Sequence, residues 1–510
     1  MKLLVVSLSL FLSISQWATA QNTTEKEYLL KGSALYEAGE LDSLISYFEE
    51  ALTIYPNSEK VRYELAIALF ENDQMEQAKE EFETLYPQSK EKSEILLYLG
   101  LIEYYRDDPD EAIKLYDSAT YFDNDNAMLQ VAIGDAYLVK ESYDKANIAY
   151  QKALSIDKQT ADAYYGIGLT HFYEDRLDSA QYYFSKAIME APLMPEYYFQ
   201  RGLVKDALGK VNDAMEDYSF SIDLDTTFAE AYIARANLFE EAGYNEDALN
   251  DYISAYFIDS TDIDVINNIG SLMIEMEAYE DAIGTYDLLI QQTPNDDFAH
   301  YNRGVAFLYA GYPERALKDF QMALQLNPSD FDYTLAKGNA HLNLDQFSEA
   351  RRSFETALSL KPNSPDALFD LGVALYYLED FEPALQKINK VVEMDPEFDG
   401  VFLQRALIKV ALEQNEEAMR DFDLAIVNNP KDGEAFFNRG VFLFEQGEVE
   451  GALTDFSQSI LLQPDMPNAY INRGLAKYEL DNEQGACLDW KKAFQLGSEA
   501  AQELLRNYCR

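Results

Sequence analysis

From Asp297 to Asp330, the stretch DFAHYNRGVAFLYAGYPERALKDFQMALQLNPSD sets small and apolar residues at Gly304, Ala316, Phe320 and Ala323, and a proline at Pro328. Those offsets fit two antiparallel helices and a stop. They predict a first helix over 297–310, a turn at Gly311-Tyr312-Pro313, and a second helix opened by Glu314 and closed by Pro328. Gly304 and Ala316 are small because helix axes that approach closely leave no room for a larger side chain.

Shifting this hairpin by 34 residues in either direction lands on another copy, giving fourteen units from Glu25 to Ala500 without insertion or deletion. The small first-helix position reads Gly32, Ala66, Gly100, Gly134, Gly168, Gly202, Ala236, Gly270, Gly304, Gly338, Gly372, Ala406, Gly440 and Gly474. The second-helix position reads Leu44 and then only alanine, from Ala78 to Ala486. On its small residue, its Ala-x-x-x-aromatic pair and its closing proline, the chain resembles the tetratricopeptide repeat family. The resemblance implies an all-α fold, an α-solenoid wound as a right-handed superhelix of helical hairpins. The closing proline is absent at Lys90, Asn124, Lys158, Thr226, Ser260 and Ser498, and Pro87 comes three positions early in the second unit.

A repeat array buries its apolar faces between neighbours, so 510 residues are read as one continuous body rather than several globular domains. No linker interrupts it. Residues 1–20 stand outside the repeat and read as an export signal, with Lys2, an apolar core over Leu3–Ile14 and cleavage after Ala20. Residues 21–24 form a short polar lead, and 501–510 a C-terminal capping helix. With no later apolar run long enough to span a bilayer, the expectation is an exported chain, periplasmic or extracellular.

Lys and Arg number 40 against 91 Asp and Glu, a formal charge of −51. Nucleic acid is a poor partner for such a surface, because binding it requires clustered cations at the phosphates. A basic protein or peptide would be drawn to it.

Repeat comparison gives a second pattern. Six units carry Arg at position seven, namely Arg201, Arg235, Arg303, Arg405, Arg439 and Arg473, and the same six carry Asp at position twenty-three, namely Asp217, Asp251, Asp319, Asp421, Asp455 and Asp489. On antiparallel helices these lie side by side, which predicts six structural ion pairs. Units eight and ten lack both residues, so Arg303 is expected to use Asp319 of its own hairpin.

Catalytic or metal-binding groupings are not evident. His171, His300 and His341 have no ligand spacing, and His171 and His341 share a repeat phase that places them between helices. Asp123-Asn124-Asp125-Asn126 lacks the glycine and distal glutamate of a calcium loop and reads as a capping turn. The chain is read as no enzyme and as having no cofactor.

The resemblance implies a peptide-binding concave groove lined by first-helix positions two, five, six, nine, twelve and thirteen. Position five is never Lys, so the family's carboxylate clamp is not expected; it carries Tyr63, Tyr165, Phe199, Tyr301, Phe369 and Phe437. Position twelve adds Tyr104, Phe172, Tyr376, Phe444 and Tyr478, among others. An aromatic-lined, acidic-edged groove suits a protein or peptide segment with apolar anchors and basic residues, making the chain a protein-interaction scaffold. The alternative is a glycan-binding protein using the same rings, and a flat tandem of exposed rings would favour it. Cys487 and Cys509 stand about equally far from Gly497 along antiparallel helices, so either a disulfide or two buried thiols is compatible with the sequence.

Overall fold

The computed structural model describes residues 23–509, which contain 29 helices and no strand. Twenty-eight helices pair into the fourteen hairpins, and the last, Glu499–Tyr508, begins two residues before the expected cap. The export segment, Gln21 and Asn22 lie outside the described residues, whereas Thr23 and Thr24 of the expected polar lead already belong to the first helix, Thr23–Glu37. The chain is an all-α solenoid whose described residues fall into two compact units divided between Thr261 and Asp262. The first unit holds hairpins one to seven; the second holds hairpins eight to fourteen and Glu499–Tyr508.

Hairpin nine shows why the repeat folds this way. Its helices are Asp297–Tyr309 and Pro313–Leu326, with Pro313 in the first turn, where its missing N–H is not needed. Asp296 caps the first helix by accepting from Ala299 N. The second helix ends before Asn327 because Pro328 bars its predecessor from helical backbone. In hairpin two the second helix, Met75–Leu85, has only 11 residues, and Tyr86, just before the displaced Pro87, keeps right-handed helical backbone.

The small first-helix residue has a more specific cause than close axes. A Cβ on Gly304 would lie 2.6 Å from the Phe320 ring, and one on Gly134 would lie 2.4 Å from the Tyr150 ring. The glycine is the seat of the ring four residues beyond the repeat alanine. That alanine is 0 % exposed from Ala78 through Ala486. Each buried ring contributes roughly 1.5–3 kcal/mol relative to an exposed one. Within each unit the second helix of a hairpin also packs on the first helix of the next, as Leu177–Glu190 does on Pro195–Ala207 and Tyr279–Gln292 on Asp297–Tyr309.

The turn between the helices requires left-handed backbone. Gly311 supplies it in hairpin nine, but nine hairpins place an acid there at φ between 53° and 63°, among them Glu141, Glu277, Glu379 and Glu413. Left-handed backbone costs such a residue about 1–2 kcal/mol. The carboxylate stands just before the second helix, where the helix dipole favours negative charge and offsets part of that cost.

Candidate partner-binding groove

The six Arg–Asp pairs fix the hairpins that carry them. Each guanidinium binds its Asp through two N–H groups at 2.7–2.9 Å, as Arg303 does with Asp319. All six acids are buried. A further arm of the guanidinium reaches the second helix of the preceding hairpin: Arg201 to Ser185, Arg235 to Ser219, Arg303 to Asp287, Arg405 to Asn389 and Arg439 to Asp423. One side chain therefore ties its own hairpin together and staples it to its neighbour. Sequence comparison missed this arm, although a polar residue at position twenty-five of the preceding hairpin was its signal. The Asp hydrogen bond is the first cause that raises the pKa of Arg235, Arg303 and Arg439.

Of the expected groove rings, Tyr165 is 4 % exposed, and the other ten are half-buried. The position-five rings wedge between hairpins. Tyr301 meets Phe320 of its own hairpin at 5.9 Å and Tyr333 of the next at 4.8 Å; Tyr165 does the same with Phe184 and Tyr197 at 5.6 and 4.8 Å. Phe199 and Phe369 lean on Phe228 and Phe398, and Phe437 lies 6.0 Å from Phe456. The Tyr63 hydroxyl donates to Glu94 at 2.7 Å. At position twelve, Tyr376 touches Phe381, and Tyr478 packs on Trp490 and Tyr508 of the cap. Burial, then Asp135, Tyr105 and Tyr173, hold the Tyr104 phenol well above its ordinary pKa.

Three exposed rings at position thirteen were not singled out from the sequence. Tyr173, Tyr309 and Tyr377 are 53, 63 and 56 % exposed. Each is stacked on a ring of the preceding hairpin's second helix: Tyr143, Tyr279 and Phe347, at interplanar angles of 12, 17 and 10°. Position thirteen was among the groove phases, and it carries an aromatic only at these three places and at Tyr105, which was the available signal.

Two carboxyls, Asp135 and Asp370, stand at positions nine and six of their first helices, among the expected groove phases. Burial lifts Asp135 and Asp370 to about 7, with Asp162 and Asp366, respectively, adding to the effect. Hydrogen bonds from Tyr150 to Asp135 and from Asn339 to Asp370 oppose it.

The remaining residues singled out from the sequence lie away from any common site. His171 stacks on Tyr183, His300 lies 3.5 Å from Asp319, and His341 pairs with Gln346 at 2.7 Å. The Asp123–Asn126 stretch is a turn in which Asp123 accepts from Asp125 N and Asn126 caps the next helix through Leu129 N. Cys487 and Cys509 form a disulfide that ties the cap to hairpin fourteen.

Family models described as tetratricopeptide repeat match residues 35–97, 298–330 and 335–397, and one described as TPR repeat matches 134–173 and 442–481. The chain is a tetratricopeptide-repeat protein, of a family of protein-interaction scaffolds. It is similar to a chain of the solved APC/C hetero-tetramer Cut9-Hcn1, at 15% identity over 98% of this chain and 99% of that one, with a TM-score of 0.43. A tetratricopeptide repeat protein from Parabacteroides merdae is 18% identical over 55% of this chain and 97% of that one, with a TM-score of 0.39. YrrB, titled a TPR protein with an unusual peptide-binding site, is 26% identical over 36% of this chain and 95% of its own, with a TM-score of 0.30. No curated protein matches the chain. No helix among the described residues is long and apolar enough to cross a membrane.

Proposed function

We propose that this scaffold is exported and holds a segment of a partner protein along the groove phases of its first helices, using half-buried rings as apolar anchors and the acidic edge for basic residues. The observation that carries the reading is the series of ten rings left half-buried at positions five and twelve, with Tyr173, Tyr309 and Tyr377 more open beside them. Rings so exposed at recurring positions are surface for a partner to cover. Acids at position two, including Glu94, Asp162, Glu196 and Glu434, supply the edge. A bonded Cys487–Cys509 pair supports an oxidising compartment.

The test is binding of the full chain to an immobilised degenerate peptide library. Tyr309→Ser and Tyr377→Ser, both exposed, are expected to weaken retention at least fivefold. Phe257→Ser and Val427→Ser, exposed on second helices at 80 and 71 %, should leave it unchanged. The reverse order would overturn the reading. A glycan reading is favoured by one observation, the three face-stacked pairs ending in Tyr173, Tyr309 and Tyr377. These pairs stand in hairpins five, nine and eleven rather than in tandem. Retention of oligosaccharides by the wild type, lost in Tyr309→Ser, would establish that reading instead.

A further inference from the structure

Asp135 stands at position nine of Ala127–Val139, a groove phase, and is 7 % exposed. Its burial is close to that of the six acids of the Arg pairs, which lie between 1 and 6 %. Each of those six has a guanidinium. Among the described residues, no Lys, Arg or His forms an ion pair with Asp135. Its recorded hydrogen bond comes from the Tyr150 hydroxyl, at 2.7 Å to Oδ1. Tyr150 is itself fixed, because a Cβ on Gly134 or Gly166 would lie 2.4 or 2.3 Å from its ring.

Around this carboxyl are tyrosines from three hairpins. After burial, the Asp135 charge is among the influences raising Tyr104, Tyr105 and Tyr116 of hairpin three, Tyr150 of hairpin four and Tyr165 of hairpin five. Tyr173, half exposed, acts on both Tyr104 and Tyr165. The Tyr116 hydroxyl is buried and has no hydrogen-bond partner. Asp162 is the nearby charge that bears on Asp135, and it too is an acid. The arrangement is a desolvated carboxyl among tyrosines, in a chain of charge −51, without an ion-pair partner among the described residues.

We infer that this tyrosine-walled pocket takes the cationic head of a lysine or arginine side chain of the bound segment, which pairs with Asp135 and lies against the faces of the surrounding rings. This deepens the groove reading and rests on it: the partner is a segment with a basic anchor entering at hairpins three to five. A cation also resolves the burial of the carboxyl, since Asp135, held near 7 by burial, gives up its proton when a positive group arrives. The preference for a basic side chain is therefore larger at pH 8 than at pH 6.

The experiment uses the full chain and the degenerate peptide library, read by sequencing the retained peptides. Wild type is expected to select Lys or Arg at least tenfold over Gln and Met at one position, with aromatic or aliphatic selection at others. Asp135→Asn, which keeps an acceptor for Tyr150, should reduce the basic preference to within twofold and leave the apolar selection intact. The exposed Glu80→Gln should change neither. Lys alone or Arg alone identifies the head. If the Asn variant loses its helical signal, Tyr104→Leu, which removes one wall and leaves the carboxyl, is expected to lower the preference at least threefold. Basic selection that survives both changes would come from the diffuse acidic field and overturns the pocket. Apolar selection without basic selection in wild type overturns the pocket and leaves the groove. No selection at all removes the groove reading, and the pocket with it.

Discussion

Replacing Arg303 by leucine removes two N–H bonds of 2.8 and 2.7 Å from Asp319, a carboxylate that is 5 % exposed. What remains near it is His300, at 3.5 Å. A buried charge left without its partner costs about 3–5 kcal/mol, far more than the 0–1 kcal/mol of a surface pair. Asp319→Leu is milder. Arg303 then keeps Asp287, bonded at 2.6 Å through a side chain that is 50 % exposed, and the expected loss is about 1–3 kcal/mol. The double variant should cost no more than Arg303→Leu alone, which makes the coupling at least about 1 kcal/mol. Urea unfolding of the full chain gives the first reading. Amide exchange in Asp297–Leu326 gives the second, because long repeat arrays depart from two-state unfolding. Losses that add to within about 0.5 kcal/mol would refute the pairing as a source of stability.

Four further outcomes follow from the same geometry. Glu379→Gly, at a φ of 60°, should raise the urea midpoint by an amount worth about 1 kcal/mol, and a lowered midpoint would mean that the helix-dipole contribution outweighs the backbone strain. Gly304→Leu should destabilise by about 1–3 kcal/mol because the Phe320 ring must leave its seat, whereas Gly304→Ala should cost less, as in the hairpins that carry Ala66, Ala236 and Ala406; equal losses would contradict the seat. Cys487→Ser opens a loop of 22 residues and should cost about 3 kcal/mol, read as lost amide protection in Glu499–Tyr508, and unchanged protection would show that packing alone holds the cap. Asp135 has a folded pKa of about 7, above the ordinary carboxylate value, so the native state binds the extra proton, and its contribution is present at pH 4 and lost as pH rises through 7; Asp135→Asn should therefore be more stabilising at pH 8 than at pH 5, and a shift independent of pH would contradict this.

The hairpins were legible because a period held over fourteen copies exposes positions that tolerate only small residues, and the physical demand is local: a ring needs its seat. The Arg–Asp pairs were legible for a related reason, since two positions changed together among repeats of one chain. What stayed hidden depends on how hairpins stack. Arg303 reaching Asp287 joins neighbouring hairpins, and nothing within a single copy declares it. The same holds for Tyr165, whose position marks it as a groove ring but which Tyr197 of the next hairpin covers. Tyr309, by contrast, lies near the end of its helix, where the Tyr279 ring supports one face and leaves the other open. Asp135 could not be separated by sequence from dozens of surface acids, because its burial comes from three hairpins at once.

Photo-crosslinking tests the groove most directly. A benzoylphenylalanine at Tyr309 or Tyr377, and separately at Phe257 or Val427, is irradiated in the full chain with a peptide selected from the library. Crosslinking at the first pair at least tenfold above the second is the result predicted for binding along the first helices. Equal yields, or the greater yield at Phe257 and Val427, would contradict it.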